Sequence, residues 1–231
     1  MQIRAIQTRV FHEGENIAAF VAGNLKKLPE KSVLVIASKV VALAEARLVL
    51  SPGLAQKEKL IRKESQKALK TKYAWLTLKN GMMMANAGID ESNADGNLIL
   101  LPKDSFASAA LFRKELQRRF KIKNLGVIIS DSNISPLRAG VTAHALGYAG
   151  IRGIRDYRGK KDIFGKKLKI SRTNIADSLA TAAALMMGEG AERQPLALIT
   201  EAPVEFAEKI NKKETAISPA EDLYGKFLKG F

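Results

Sequence analysis

Residues 32–38, SVLVIAS, set five apolar side chains in succession between Pro29 and the polar pair Ser38-Lys39. A strand with one wet face alternates apolar and polar residues, so an unbroken apolar run predicts a strand buried on both faces. Residues 125–130, LGVIIS, have the same character and are followed by Asp131-Ser132. Around these two runs, helical and extended segments follow one another without the regular crossover helices of an all-parallel sheet. The reading is an α+β fold with mixed or antiparallel sheets and flanking helices.

The neighbouring segments extend that picture. Ile3–Val10 reads as a strand, and Asn16 as the cap of a helix over Asn16–Lys27. Val40–Leu50 suits helix and strand alike, and Leu54–Lys72 is amphipathic and charged like a surface helix. Ala74–Leu78 alternates as a strand does, Met82–Met84 continues towards a turn at Asn86-Ala87-Gly88, and Leu98–Leu101 is a short strand closed by Pro102. Asp104 or Ser105 caps a helix through Phe120. A Gly- and Arg-rich loop region is expected from Asp131 to Lys169. Asn174–Gly188 reads as an alanine-rich helix stopped by Gly188, and Leu196–Thr200 as a last strand. Glu208–Phe231 reads as a charged tail with a helix-like end at Ala220–Leu228. With no internal repeat or linker, residues 1–231 are expected to form one domain.

Bulk properties narrow the function. The chain has 231 residues, 46% of them hydrophobic, enough for a substantial core. It has no cysteine, which excludes disulfides, thiolate metal sites and cysteine nucleophiles. The first residues hold no apolar core of signal-peptide length, and the most apolar run, Leu179–Gly188, is too short to span a bilayer. A soluble, cytoplasmic protein without a membrane partner is expected. The net charge of +15, from 38 Lys+Arg against 23 Asp+Glu, points to an anionic partner. Aromatic residues are only 6% and no nucleic-acid-binding motif is present, so phosphate-rich small molecules suit the charge better than nucleic acid. The basic clusters at Lys57–Lys72 and Arg113–Lys123 read as solvated helix faces.

Standard nucleotide motifs are absent. Gly159–Lys167 has one residue too many between its glycines and no hydroxyl residue after Lys166, so it is not a P-loop. Gly147, Gly150 and Gly153 lack the dinucleotide spacing. His12 and His144 are too isolated to suggest zinc. What stands out is acidic residues where elements end: Asp90 after NAGI, Asp131-Ser132 after an apolar run, and Glu189 between two glycines. A hard divalent cation carrying triphosphate oxygens takes a few carboxylates plus hydroxyl or water ligands, and Asp90, Asp131, Ser132 and Glu189 would provide them. Loop capping by Asp90 and Asp131 is the competing reading. Arg138, Arg152, Arg155 and Arg158 lie in the glycine-rich region, where a guanidinium suits a carboxylate or phosphate. Arg138 is the candidate placed with the catalytic groups; ion pairing with Asp156 or Asp162 is the other role open to each arginine. Asp177 suits the dipole at a helix start, and Met82–Met84 with Met186–Met187 suit core filling.

Residues 85–105, ANAGIDESNADGNLILLPKDS, resemble a signature of the coenzyme F420:L-glutamate ligase family. The runs VIISDSNISPLRAGVTAHALGYAG and YRGKKDIFGKKLKISRTNIADSLATAAALMMGEGAERQPLALI are similar to its second and third blocks, and SVLVIASKVVALAEARLV belongs with them. The resemblance covers roughly residues 8–200. It implies intertwined, two-lobed α+β homodimers that use GTP with magnesium or manganese; K+ is a further candidate ion. Carried over by motif, it implies metal ligation by Asp90, Asp131, Ser132 (threonine in the family) and Glu189. It implies nucleotide contacts from Ser38, Lys39, Asn93 and the loop Met187–Gln194, including Gly188, Glu189, Gly190, Ala191 and Gln194.

The departures from the family pattern are local. Its Ser-Lys-x-Val-Ser-Lys reads Ser38-Lys39-Val40-Val41-Ala42-Leu43, its Glu-Gly-Arg reads Glu45-Ala46-Arg47, and its Gly-Arg-Pro reads Ile134-Ser135-Pro136. Thr8-Arg9-Val10-Phe11 is only weakly similar to its N-terminal nucleotide loop. The implied reaction has the acceptor carboxylate attack the γ-phosphate, and the amine of glutamate then displace phosphate from the acyl phosphate. A folate acceptor and a non-catalytic RNA-binding role on the same scaffold are the alternatives.

Overall fold

The computed structural model describes residues 1–50 and 53–227. In chain order, β1 (Gln2–Ile6) leads to α1 (Ile17–Asn24), where the Asn16 side chain accepts from Ala19 N at 2.8 Å as a cap. β2 (Ser32–Ala37) passes directly into α2 (Ser38–Ala44), and β3 (Leu48–Val49) follows. Next come α3 (Leu54–Glu64), β4 (Lys67–Lys70), β5 (Trp75–Lys79), β6 (Met82–Ala85), a 3-10 turn at Asn86–Gly88, and β7 (Leu98–Ile99). The second half holds α4 (Ser105–Phe120), β8 (Leu125–Asn133), β9 (Thr142–Ala149), β10 (Ile154–Asp156), β11 (Arg172–Asn174), α5 (Ile175–Met187) and β12 (Leu196–Thr200).

Five strands form the main sheet in the order β1-β12-β2-β8-β9, with only the central pair β2/β8 parallel. The apolar runs occupy that centre, as strands covered on both faces must. Val33, Val35 and Ile128 pack under α5 through Ala176, Leu179, Ala180 and Ala183. Leu34, Ile36, Val127 and Ile129 pack against α1, α2 and α4 through Phe20, Val41, Phe112 and Leu116. Three small sheets complete a mixed α+β fold with no closed barrel: β3-β7, β4-β5-β6 and β10-β11.

The surface helix expected over Leu54–Lys72 ends at Glu64. Ser65 is extended (φ −118°, ψ 151°), its hydroxyl donates to Ile61 O at 2.7 Å, and Lys67–Lys70 then pair with β5. The first strand stops at Ile6, short of Val10. Val40–Leu50 divides between the end of α2 and β3. The larger correction concerns the loop expected over Asp131–Lys169. β8 runs on to Asn133, β9 returns beside it, and β10 lies beyond. Glycine hides β9 in the sequence, yet it is what lets β9 fit. A Cβ on Gly147 would sit 2.4 Å from the Ser105 carbonyl carbon, and one on Gly150 (φ +83°) 2.0 Å from Leu125 O.

The C-terminal segment is tied down. Glu208 accepts from both terminal nitrogens of Arg113 at 2.9 and 2.6 Å, and Glu214 from Tyr148 Oη at 2.8 Å and Gly153 N at 2.6 Å. Residues 220–227 form turns rather than the expected helix, and Leu228–Phe231 lie outside the described residues. Among the described residues no helix is long and apolar enough to cross a membrane.

Candidate functional site

The parallel pair at the sheet centre places the first charged groups. In its register Ala37 lies beside Ser130, so the next residues, Ser38 opening α2 and Asp131 continuing β8, fall together. The Ser38 hydroxyl donates to Asp131 Oδ1 at 2.7 Å. Lys39, one residue on, reaches Asp90 Oδ2 at 2.9 Å and donates to Ser92 O at 2.6 Å and Ser92 Oγ at 3.0 Å. Asp90 is held by a two-way backbone bridge to Ile99, at 3.0 and 2.9 Å. Its own carboxylate accepts from Ser92 N at 2.7 Å and Ser92 Oγ at 3.0 Å.

A second group comes from the end of α5. Gly188 (φ +78°) turns the chain out of the helix, and Glu189 accepts from Ser132 Oγ at 2.9 and 2.8 Å. The loop continues through Gly190, whose carbonyl accepts from Asn93 Nδ2 at 3.4 Å and whose N–H donates to Glu192 at 2.8 Å.

These groups line one cavity of about 660 Å³, with Ser38, Lys39, Asp90, Asn93, Asp131, Ser132 and every residue from Met187 to Gln194 in its wall. Arg138 is outside it, in the exposed turn between β8 and β9. Arg158 pairs with Asp156 at 2.6 Å, Arg152 with Glu205 at 3.5 Å, and Arg155 donates to Pro203 O, all on the surface. Asp177 does more than face a helix dipole: it accepts from Ala145 N at 2.8 Å and ties α5 to β9. Sequence reasoning missed Ser92, which bridges Lys39 and Asp90. An Asx turn from Asp90 two residues upstream is the signal that would have found it. It also missed the apolar part of the wall, where Val40, Leu43 and Ala184 stand with Phe11.

The environments of Asp90 and Asp131 shift their carboxyl groups in opposite directions. Burial pushes Asp90 up, but hydrogen bonds from Lys39 and Ser92 outweigh it and hold Asp90 below its ordinary range. Burial pushes Asp131 up to about 6, against the Ser38 hydrogen bond and with help from the negative charge of Asp90. His144, cross-strand partner of Asp131, is lowered by burial, with Asp177 opposing. Among the described residues no three acidic or imidazole side chains converge as a ready metal cage. Glu189 is turned to Ser132, apart from the Asp90–Asp131 pair. Two carboxylates and hydroxyls nevertheless suit magnesium or manganese, which take one or two protein carboxylates and leave other positions to water and phosphate. A half-buried Asp131 in the cavity wall, with a second carboxylate nearby, is the feature that fits a cation.

A mixed helix-flanked sheet thus gathers charged groups from four distant stretches of chain into one pocket, the form of a small-molecule site. The model of the F420-0:gamma-glutamyl ligase family matches residues 5–201. A coenzyme F420:L-glutamate ligase of Methanococcus maripaludis (strain C7) is 34% identical over 210 residues, covering 81% of this chain and 84% of the relative. The enzyme of that name from Methanopyrus kandleri is 32% identical over 238 residues, 94% of each chain, and that from Methanocaldococcus jannaschii 41% identical over 144 residues, 62% and 57%. The chain belongs to the F420-0:gamma-glutamyl ligase family, and with it to the ligases that form amide bonds.

Proposed function

We propose that this chain joins L-glutamate by an amide bond to a carboxylate acceptor of the coenzyme F420 type, at the expense of GTP or ATP. The observation that carries the reading is the pairing of Asp131 and Asp90 beside Lys39 and Ser38 at one cavity. The names of the relatives supply the substrates.

In this reading, Asp90 and Asp131 would hold Mg2+ or Mn2+, with Ser132 and Glu189, bonded to each other elsewhere in the same wall, as further candidate ligands. The bound cation offsets charge on the triphosphate oxygens. Lys39, in contact with Asp90 and Ser92, would bring its positive charge to the triphosphate. Asn93 and the Met187–Gln194 loop embrace the nucleotide, and the apolar wall at Val40 and Leu43 takes a ring. The acceptor carboxylate oxygen attacks the γ-phosphorus, the bond to the bridging oxygen breaks, and the nucleoside diphosphate leaves; the glutamate nitrogen then displaces phosphate from the acyl carbon. Positioning and charge do most of this work, since phosphoryl transfer asks little covalent help of the protein.

A homodimer is part of the proposal. Ile134, Leu137 and Val141 are exposed around Arg138 at the tip of the β8–β9 hairpin, and Ile163, Phe164 and Ile170 on the arm between β10 and β11. Apolar side chains grouped on projecting segments favour a partner subunit. The test combines purified chain, Mg2+ or Mn2+, GTP or ATP, glutamate, and either the deazaflavin acceptor or a folate. A product heavier by one glutamyl unit, made together with phosphate, is expected with the deazaflavin. Absence of any glutamylated product under all combinations sinks the reading.

A further inference from the structure

Three cationic side chains line the cavity: Arg9, Lys39 and Arg193. Two of them are committed. Arg9 donates from both terminal nitrogens to Glu15, at 2.7 Å from Nη1, and its Cζ stands 5.2 Å from the centre of the Phe20 ring. Lys39 is held by Asp90 and Ser92. Arg193 is different: its side chain is exposed, and among the described residues it meets no carboxylate, ring or backbone acceptor. The adjacent Glu192 is turned to Gly190 N, at 2.8 Å.

The backbone at Arg193 is as unusual as its side chain. Its φ is +54°, in the left-handed region that a Cβ makes costly and that Gly, Asn and Asp fill most readily. The other non-glycine residues of the wall with such a φ are Asn93 and Asp95, both at +51° and both of the tolerant kind. The segment is fixed on either side of the strained residue. Arg193 O accepts from Thr8 N at 2.9 Å, and Pro195 O from Ala37 N at 2.9 Å. A long cation thus occupies a place where glycine would be relaxed, facing a cavity and paired with nothing. Strain of this kind collects where a side chain has work to do on a ligand.

The ligase reaction brings anions that the rest of the wall leaves unmatched. Lys39 and the metal ion serve the triphosphate. Glutamate reacts through its nitrogen, so its two carboxylates pass through the reaction unchanged and need a counter-charge. A carboxylate presents two oxygens in a plane, the shape that a guanidinium fork binds best. We propose that Arg193 receives one carboxylate of the incoming glutamate and so selects an acidic amino acid; this rests on the ligase reading. The loop then divides its duties. Its Gly190 end, joined to Asn93, faces the nucleotide, and its Arg193 end, joined to Thr8, holds the unreactive end of glutamate.

Steady-state kinetics on Arg193→Gly and Arg193→Asn test this, with glutamate, nucleotide and acceptor varied in turn. Both replacements suit a left-handed backbone, so folding is kept, and thermal melting checks it. Loss of a charge-assisted pair predicts a rise in KM for glutamate of about tenfold to a hundredfold, with KM for nucleotide and acceptor unchanged. Arg193→Lys, which keeps the charge without the fork, should fall between parent and Arg193→Gly. Glutamine and the α-amide of glutamate each lack one carboxylate charge. With whichever of them lacks the carboxylate that Arg193 holds, parent and Arg193→Gly should agree in KM within about twofold. An unchanged KM for glutamate overturns the inference, as does a rise confined to nucleotide or to acceptor, or a full effect retained with both analogues. A parent chain that ligates no glutamate at all removes the ligase reading and this assignment together; one that ligates it while the variants keep the parent KM removes this assignment alone.

Discussion

Asp90 and Asp131 line the same cavity, yet the regions that deliver them are built on opposite plans. Asp90 rides on a short bridge to β7, at the edge of the small sheets, with its side chain 44% exposed and Lys39 in direct contact. Asp131 lies inside the continuous strand β8, half-buried in the cavity wall, where the Ser38 hydroxyl donates to it. The chain itself balances the first carboxylate and leaves the second under-compensated. Such a pair is quiet until a positive charge arrives, and then the buried member has the most to gain. The division is sharpest if Asp131 dominates activity. Asp131→Asn is expected to lower ligation by about a thousandfold or more, the order of loss when a key electrostatic group leaves a preorganised site. Retention of more than about a tenth of the parent turnover would break the contrast and remove Asp131 from the site.

The Asp90 region needs support that β8 does not. Glu64 on α3 accepts from Arg47 Nη2 at 3.0 and 2.9 Å and pairs with Lys79 at 2.8 Å. Arg47 also donates to Leu101 O at 3.0 Å, just past β7. Lys79 is 7% exposed, and its nitrogen reaches Ala87 O at 3.5 Å in the turn before Asp90. This network links α3, β5 and the strand that bridges Asp90. Glu64→Gln leaves a buried lysine without its carboxylate partner and is expected to cost about 3 kcal/mol in denaturant unfolding, with Lys79→Met restoring part of it in the double variant. A loss under about 1 kcal/mol would mean that the small sheets hold Asp90 without the ion pairs.

The same division explains what could be read in the sequence. The unbroken apolar runs of β2 and β8 and the caps Asn16 and Asp104 are local signals, and the structure contains them. Asp131 was legible as a polar residue after an apolar run. Its burial was not, because that depends on β9, whose glycines Gly147 and Gly150 read as loop while answering to Ser105 and Leu125. β4 was hidden for a similar reason: Lys67–Lys70 continues the charge pattern of α3, and only its pairing with β5 makes it a strand. The apolar wall at Val40, Leu43 and Ala184 is shared by α2 and α5, which meet only in three dimensions. Only the family resemblance, not the spacing, joins the Met187–Gln194 loop to Asp90 and Asp131 in the sequence.

The two carboxylates should also give opposite slopes of stability against pH in metal-free protein. Asp131 has a folded-state value of about 6, above its ordinary 3.8, so the native state holds its proton more tightly than the unfolded chain. Stability from that group is complete below its unfolded value and is lost as pH rises through the folded one, the window running from about 4 to 6. A shift of two units corresponds to about 2–3 kcal/mol, and Asp131→Asn should erase it, leaving the variant more stable than the parent at neutral pH. Asp90 is held below its ordinary value, so its contribution is present above that value and is lost as pH falls through the folded one. Denaturant unfolding with a chelator, from pH 4 to 7, should show the Asp131 loss in the parent, its absence in Asp131→Asn, and its suppression by magnesium with nucleotide. A parent curve that is flat over this window in metal-free buffer would show that Asp131 is compensated by the chain itself, and the difference between the two regions would then disappear.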